Sequence, residues 1–322
     1  MTACEVFEKM NAGGREGSCF LFGLDFELKD GFFVENPLQG SDILFDINGV
    51  TNVPDIAYSR QKPEIEILSS DRAGYERGFD VVRKGLERGD SFLLNLTART
   101  EIRLNLSLLD VFMRSRAMYK IYYPQRFVCF SPEAFVRIEG NVISTFPMKG
   151  TIDASLPDAE QRLLDDYKET CEHYTIVDLM RNDLNSVAEK IGVSRFRYVD
   201  RIRTQSGEIL QTSSEVRGTL PDDWRCRIGD IFRALLPAGS ISGAPKPSTV
   251  SLIWKAEQRD RGFYTGVCGY FDGKNLDSGV MIRFIEQDGG RFFFHSGGGV
   301  TINSRCEDEY QEVLEKVYLP FK

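Results

Sequence analysis

"GFYTGVCGYFDGKNLDSGVMIRFIEQDGGRFFFHSGGG", residues 262–299, carries the pattern that decides the fold. Short runs rich in Phe, Tyr, Val and Ile are separated by DGKN and DGG, both hairpin-turn signals. Parallel neighbours would need a long crossover, so the stretch reads as an antiparallel meander. Upstream, "FVCFSPEAFVRIEGNVISTF" (127–146) reads as strand, break, strand, Gly-Asn turn and strand, and "SFLLNLTART" (91–100) as a further strand. Residues 1–70 alternate apolar runs with turns and predict a β-rich N-terminal segment. Helices fall in blocks between these strands. Tyr75, Phe79, Val82 and Leu86 have helical spacing, with Asp71 as cap and Gly89 as stop. Further helices are predicted over 107–119, over one long region from Asp158 to Arg181, over 228–236 and 247–260, and from about Cys306. Hairpin-joined strands with blocked helices argue α+β. No repeat or linker interrupts 1–322, which predicts a single domain.

The composition narrows the function. The chain has 322 residues, 42% of them hydrophobic, and a formal charge of −8. No Lys/Arg-dense stripe is present, which argues against nucleic acid as a partner. No run of 18 apolar residues occurs, so no membrane span is expected. Seven scattered cysteines without a C-x-x-C pair suit a reducing, cytoplasmic setting. With only His173 and His295 available, a histidine-rich zinc site is excluded. Enzymatic chemistry here would rest on carboxylates, lysine and a hard metal ion.

Four segments carry such groups. In "STFPMKGT" (144–151), a strand ends at Phe146, Pro147 cannot donate to a ladder, and Gly150 frees the turn. Lys149 is thereby placed at the mouth of a sheet. Glu133, in "SPEAF", sits at a strand break 16 residues earlier; acid and amine on one sheet can face one pocket. Glu169 and Glu172 lie at i, i+3, as do Glu309 and Glu312, and two such helices could offer oxygen ligands to Mg²⁺. Glutamates at that spacing are also ordinary solvated helix faces. Gly297, Gly298 and Gly299 could turn backbone N–H groups toward an anion, or simply end a hairpin. "PAGSISGAPKPS" (237–248) precedes a helix but is no Walker loop, since Pro247 follows Lys246 at the wrong spacing.

Taken together, "SPEAF", "FPMKGT", "EHYTIVDLMRNDL", "GSISGAPKPSTV", "GFYTGVCGYF", "MIRFI", "SGGGVTINS" and "EDEYQEVLEKV" resemble the chorismate-utilising enzymes. Within that family they look like the aminodeoxychorismate synthase component 1 branch, over roughly residues 71–322. The resemblance implies large antiparallel sheets in a sandwich-like core with helices outside, and a shortened segment over 1–70. It implies that Lys149 attacks ring carbon 2 of chorismate while Glu133 protonates the departing 4-hydroxyl. Ammonia then expels the lysine, giving 4-amino-4-deoxychorismate. A neutral Lys149 is required, so its pKa is expected to be lowered. Glu172 and Glu312 match direct Mg²⁺ ligands; Glu169 and Glu309 match positions that hold metal-bound water. Tyr264, Arg283 and the Gly297–Gly299 backbone match the grip on the enolpyruvyl carboxylate, and Ser242, Lys246 and Thr151 match other substrate contacts.

The lysine of P-x-K-G-T stands where anthranilate synthases have alanine, and Gln211 stands where they usually have histidine. Leu93 replaces the lysine base of isochorismate-forming relatives, and Ala134 replaces a usual arginine. An anthranilate or isochorismate synthase is the alternative enzyme, and a catalytically silent chorismate-binding protein the remote one. No tryptophan-binding motif is seen, so tryptophan feedback is not expected. No glutaminase or lyase segment is recognisable. The resemblance therefore implies a glutamine amidotransferase subunit (component 2) supplying ammonia. It also implies an aminodeoxychorismate lyase that completes 4-aminobenzoate for folate.

Overall fold

The computed structural model describes residues 1–204 and 207–321. In chain order the strands begin with β1 (Phe20–Leu24), β2 (Gly31–Glu35), β3 (Leu44–Ile47), β4 (Val50–Thr51), β5 (Ile65–Ser70) and β6 (Leu93–Leu104). They continue with β7 (Tyr119–Tyr123), β8 (Phe127–Ser131), β9 (Ala134–Glu139), β10 (Val142–Thr145), β11 (Met148–Asp153) and β12 (Glu189–Thr204). The last are β13 (Gly207–Thr219), β14 (Gly243–Ala244), β15 (Val267–Phe271), β16 (Leu276–Val280), β17 (Phe284–Asp288) and β18 (Arg291–Val300). The helices are α1 (Ala3–Glu16), α2 (Arg72–Arg88), α3 (Leu108–Arg114), α4 (Ala159–Asp165) and α5 (Tyr167–Leu184). They are followed by α6 (Ile228–Leu235), α7 (Gly239–Ser242), α8 (Lys246–Glu257) and α9 (Cys306–Glu315).

Two antiparallel sheets result. One runs β11-β13-β10-β9-β16-β15-β1-β2, with β12 also on β13; the other runs β14-β6-β18-β17-β8-β7-β3-β4, with β5 also on β6. The meander folds as its turns dictate: β15 pairs β16, and β17 pairs β18. Gly289 and Gly290 both take positive φ, as the tight β17–β18 turn requires. Leu21, Phe45, Ile121, Cys129, Cys268, Tyr270 and Phe284 come from both sheets and form one buried cluster. Helices cover the structure outside it. Phe7 and Met10 of α1, Phe79 of α2, Met180 of α5, Phe232 of α6 and Leu252 of α8 are buried with Phe22 and Phe271. Each such side chain withdraws apolar surface worth about 1.5–3 kcal/mol. Among the described residues no helix is long and apolar enough to cross a membrane. All seven cysteines are free thiols.

Three expectations are corrected. The first sixteen residues do not begin a strand run: α1 forms because Thr2 and Glu5 make a reciprocal capping box and Val6, Phe7 and Met10 are buried on one side. The region from Asp158 is two helices, not one, since Asp166 leaves helical geometry and caps α5 through Glu169 N–H. The long β12–β13 hairpin fills a stretch to which the sequence reading assigned no element.

The contact between α1 and α6 yields a test. A Cβ on Gly229 would lie 2.0 Å from the Phe7 carbonyl oxygen, and Gly229 N–H donates to Asn11 Oδ1 at 2.7 Å. Backbone cannot step aside as a side chain can. Gly229→Ala should lower stability by about 3 kcal/mol, read as a fall in the urea midpoint at unchanged slope. A midpoint equal to wild type would show that α1 does not dock as described.

Candidate active site

Pro147 ends β10's ladder, but the chain re-enters the same sheet at once as β11. Met148 pairs Ser213 and Thr151 pairs Gln211, with a register slip between them. Lys149 and Gly150 occupy that slip, and Gly150 takes φ +88°. The Thr212 hydroxyl donates to the Lys149 carbonyl. Lys149 is therefore a strand residue aimed by a bulge, not a loop residue.

Its side chain enters a cavity of about 280 Å³. Glu133, Glu172, Glu312, Tyr264, Arg283, Ser242 and Gly297–Gly299 line the same cavity. Thr151, Glu169 and Glu309 line an adjoining vestibule of about 870 Å³ that shares Lys149, Glu172 and Glu312. Lys246 is not brought to the cavity lining. Its ammonium pairs with Asp183 at 2.9 Å and donates to the Leu235 carbonyl at 2.7 Å, tying α8 to α5. Ser242 is fully buried and donates to the Ala238 carbonyl at 2.8 Å.

The three glycines do not form a turn. They lie within β18, opposite Thr97, Leu96 and Asn95 of β6. Their role in the geometry is absence of bulk. A Cβ at Gly297 would meet Asn95 Oδ1 at 2.6 Å, and one at Gly298 would meet Glu309 Oε2 at 3.3 Å.

Charge is distributed unevenly. Lys149 Nζ lies 2.8 Å from Glu172 Oε2, and Lys316 Nζ lies 2.6 Å from Glu312 Oε1 and 2.7 Å from the Gly297 carbonyl. Burial pushes the Lys149 pKa down, but the hydrogen bond and charge of Glu172 outweigh it and the net shift is upward. The expected lowering is therefore reversed while Glu172 faces the amine. Glu133 is half-buried, accepts a hydrogen bond from Ser240 at 2.7 Å, and has its pKa raised by burial against the opposing effects of Ser240 and Arg283. Burial also raises Glu169 and Glu309, with the charges of Glu172 and Glu312 adding to it. For Glu312 burial is outweighed by Lys316, so its pKa falls.

Among the described residues, no three His, Cys, Asp or Glu side chains are gathered into a ready metal cage. The donor set nevertheless fits a hard divalent cation. Four carboxylates from α5 and α9 face one vestibule, and Glu169 and Glu309 are pushed toward protonation by burial and by the neighbouring charges of Glu172 and Glu312 respectively.

Several lining residues escaped the sequence reading. Ser240 and Asn95 gave no signal of their own. Lys316 did, standing four residues after Glu312 on the terminal helix, at salt-bridge spacing. Leu93 and Ala134 line the cavity, so both departures from the family pattern alter its wall directly. Gln211 faces the vestibule.

Comparison with known proteins agrees with this geometry. An uncharacterized PabA-like protein of Pasteurella multocida is 55% identical over 99% of both chains. Aminodeoxychorismate synthase component 1 of Bacillus subtilis is 29% identical over 84% of this chain and 60% of its own length. Among solved structures, the menaquinone-specific isochorismate synthase MenF of Escherichia coli superposes with a TM-score of 0.73. It does so at 16% identity, over 98% of this chain and 81% of that one, a likeness of fold. The family model for chorismate binding enzymes matches residues 37–321, which takes in every residue lining the cavity and every strand but β1 and β2, and the chain belongs to that family.

Proposed function

We propose that this protein is an aminodeoxychorismate synthase component 1, converting chorismate and ammonia to 4-amino-4-deoxychorismate in the cytoplasm. The observation that carries the reading is Lys149, an amine aimed by a strand bulge into a cavity it shares with Glu133, Tyr264 and Arg283. Arg283 and Tyr264 bind the enolpyruvyl carboxylate, and the bare β18 backbone lets the substrate lie close. Glu133, whose pKa burial raises, donates its proton to the leaving 4-hydroxyl, which departs as water. The Lys149 nitrogen lone pair forms the bond to ring carbon 2 as the two conjugated ring double bonds shift and the carbon 4–oxygen bond breaks. Ammonia then bonds to carbon 4 and the lysine leaves. Lys149 must first lose its bond to Glu172, the largest of the effects that favour its ammonium form; the charges of Glu169 and Glu312 act in the same direction, and burial alone favours the neutral amine. Glu172 and Glu312 would hold Mg²⁺ directly, with Glu169 and Glu309 through water; the ion would supply positive charge against the carboxylates of protein and substrate. The ammonia comes from a glutaminase subunit, and a separate lyase consumes the product.

Incubation with chorismate, Mg²⁺ and ammonium should give a non-aromatic amino product that becomes 4-aminobenzoate only after a lyase is added. Anthranilate or isochorismate as the main product would sink the reading. With ammonia withheld, intact-protein mass should show a chorismate-derived adduct on wild type and none on Lys149→Ala. Lys149→Arg should behave like the alanine variant, since a guanidinium keeps its proton. An adduct on Lys149→Ala would assign the nucleophile elsewhere.

For the metal, Glu172→Gln and Glu312→Gln should each weaken Mg²⁺ binding by calorimetry at least tenfold, about 1.4 kcal/mol. Wild-type affinity in both would place the ion outside this vestibule.

The proton donor can be tested without turnover. The Ser240 hydrogen bond favours the charged form of Glu133 and so opposes the upward effect of burial, and Ser240→Ala should move the Glu133 titration midpoint to still higher pH. Ser240→Thr should restore it. Infrared titration of the carboxyl band reads both, and an unmoved midpoint in the alanine variant would disconnect the pair.

A further inference from the structure

A second cleft, of about 290 Å³, opens where the edge of β6 is bare. Leu93–Leu94 of β6 pair with β14, and Thr100–Leu104 pair with β5. Between them, on the edge away from β18, no strand among the described residues covers residues 95–99. The end of α8 fills that gap with side chains. Glu257 Oε1 accepts Thr97 N–H at 2.9 Å, and Arg261 donates to the Asn95 carbonyl at 2.6 Å. Both oxygens of Glu257 are consumed by Arg261 and Thr97, and the Glu257–Arg261 pair is 1% exposed on each side.

Arg259 is left over. It lines the cleft, is half-buried, and donates to Thr97 Oγ1 at 3.1 Å, while its Nη1 is buried with no partner. Among the described residues no carboxylate lies within ion-pair distance of it. Burial holds its pKa below the usual guanidinium value; the charge of Glu257 opposes this, and the charges of Arg261 and Arg99 add to it. Arginine does not escape by deprotonating, so an unpaired, desolvated guanidinium calls for an anion from outside. Arg77, contributed to the same lining by α2, is exposed and has no ion pair among the described residues. Arg99 is already held by Glu286 and Asp288. The Tyr75 hydroxyl, on a side chain 5% exposed that lines the same cleft, is buried without a partner. Asp71, the remaining acid of the lining, is occupied as the cap of α2.

We infer that this cleft is a second ligand site, separate from the reaction cavity, that takes a small oxyanion between Arg259 and Arg77. Its chemistry is that of a carboxylate or a phosphate group, and its size admits a small metabolite rather than a macromolecule. Guanidinium groups contributed by α2 and by the segment after α8 offer the forked donors that such oxygens prefer.

The test is calorimetric titration of inorganic phosphate and, separately, of malonate at constant ionic strength. At least one should bind wild type, and the tighter of the two names the source of the oxygens. Arg259→Gln should weaken that binding tenfold or more, and Arg77→Gln several-fold. The double variant Lys149→Ala/Arg283→Gln, altered only in the reaction cavity, should retain it. Should Arg259→Gln fail to fold, Arg77→Gln answers alone, since that side chain lies on the exposed side of α2. Binding that survives both arginine changes, binding lost only in the double variant, or no binding of either anion would overturn the site.

Discussion

The cavity depends on one buried ion pair. Arg261 and Glu257 meet at 2.7 Å with both side chains 1% exposed, and neither charge touches water. Such a pair is tolerable only when its remaining donors and acceptors are satisfied, and here they are. Arg261 donates to the carbonyls of Asn95 and Ile241 and to Thr265 Oγ1, while Glu257 accepts from Thr97 N–H. Asn95, Ile241 and Thr265 all line the reaction cavity. One guanidinium thus holds β6, α7 and the turn before β15 at fixed spacing. Loss of either partner alone would strand a buried charge at a cost of about 3–5 kcal/mol. The pair also does the work of a missing strand, since it satisfies β6 backbone groups that no neighbour reaches.

The same loop region aims the acid. Lys246 and Asp183 clamp α8 to α5, and Asp183 also accepts the Gly239 N–H at 3.2 Å. Gly239 begins α7, whose next residue is Ser240, the partner of Glu133. The lysine assigned to substrate from the family pattern thus acts one step removed, fixing the helix that carries the hydrogen-bond partner of Glu133. A motif match names the residue; only packing says what it touches.

How much was legible follows from range. The meander, α2 and α9 were readable because turns, caps and periodic apolar residues are local signals. The two glutamate pairs were readable for the same reason, each being i, i+3 on one helix. What escaped was non-local. Lys149's placement on a strand depends on a register slip against β13, which no segment near residue 149 encodes. The glycines' role depends on Asn95 and Glu309 arriving from other elements. The opening helix is a different kind of miss: Thr2 and Glu5 form a capping box visible in the first five residues, and the turn-rich text after it drew the reading toward strands.

Electrostatic balance gives these parts a common logic under the proposed reading. Glu169, Glu172, Glu309 and Glu312 face one vestibule, and Lys149 and Lys316 answer only two of them closely. Lys168 reaches Glu172 only at 3.9 Å and from a mostly exposed position, where solvent screens it. An anionic substrate entering such a site meets net negative charge, so binding requires added positive charge at the glutamates. That same charge draws Glu172 away from Lys149. The amine would then be freed when the site becomes able to hold an anion, and not before. Lys149's raised pKa is on this view a property of the resting arrangement, in which the facing carboxylate favours the ammonium form. A nucleophile stored as half of an ion pair is protected until the substrate's own requirement for positive charge releases it.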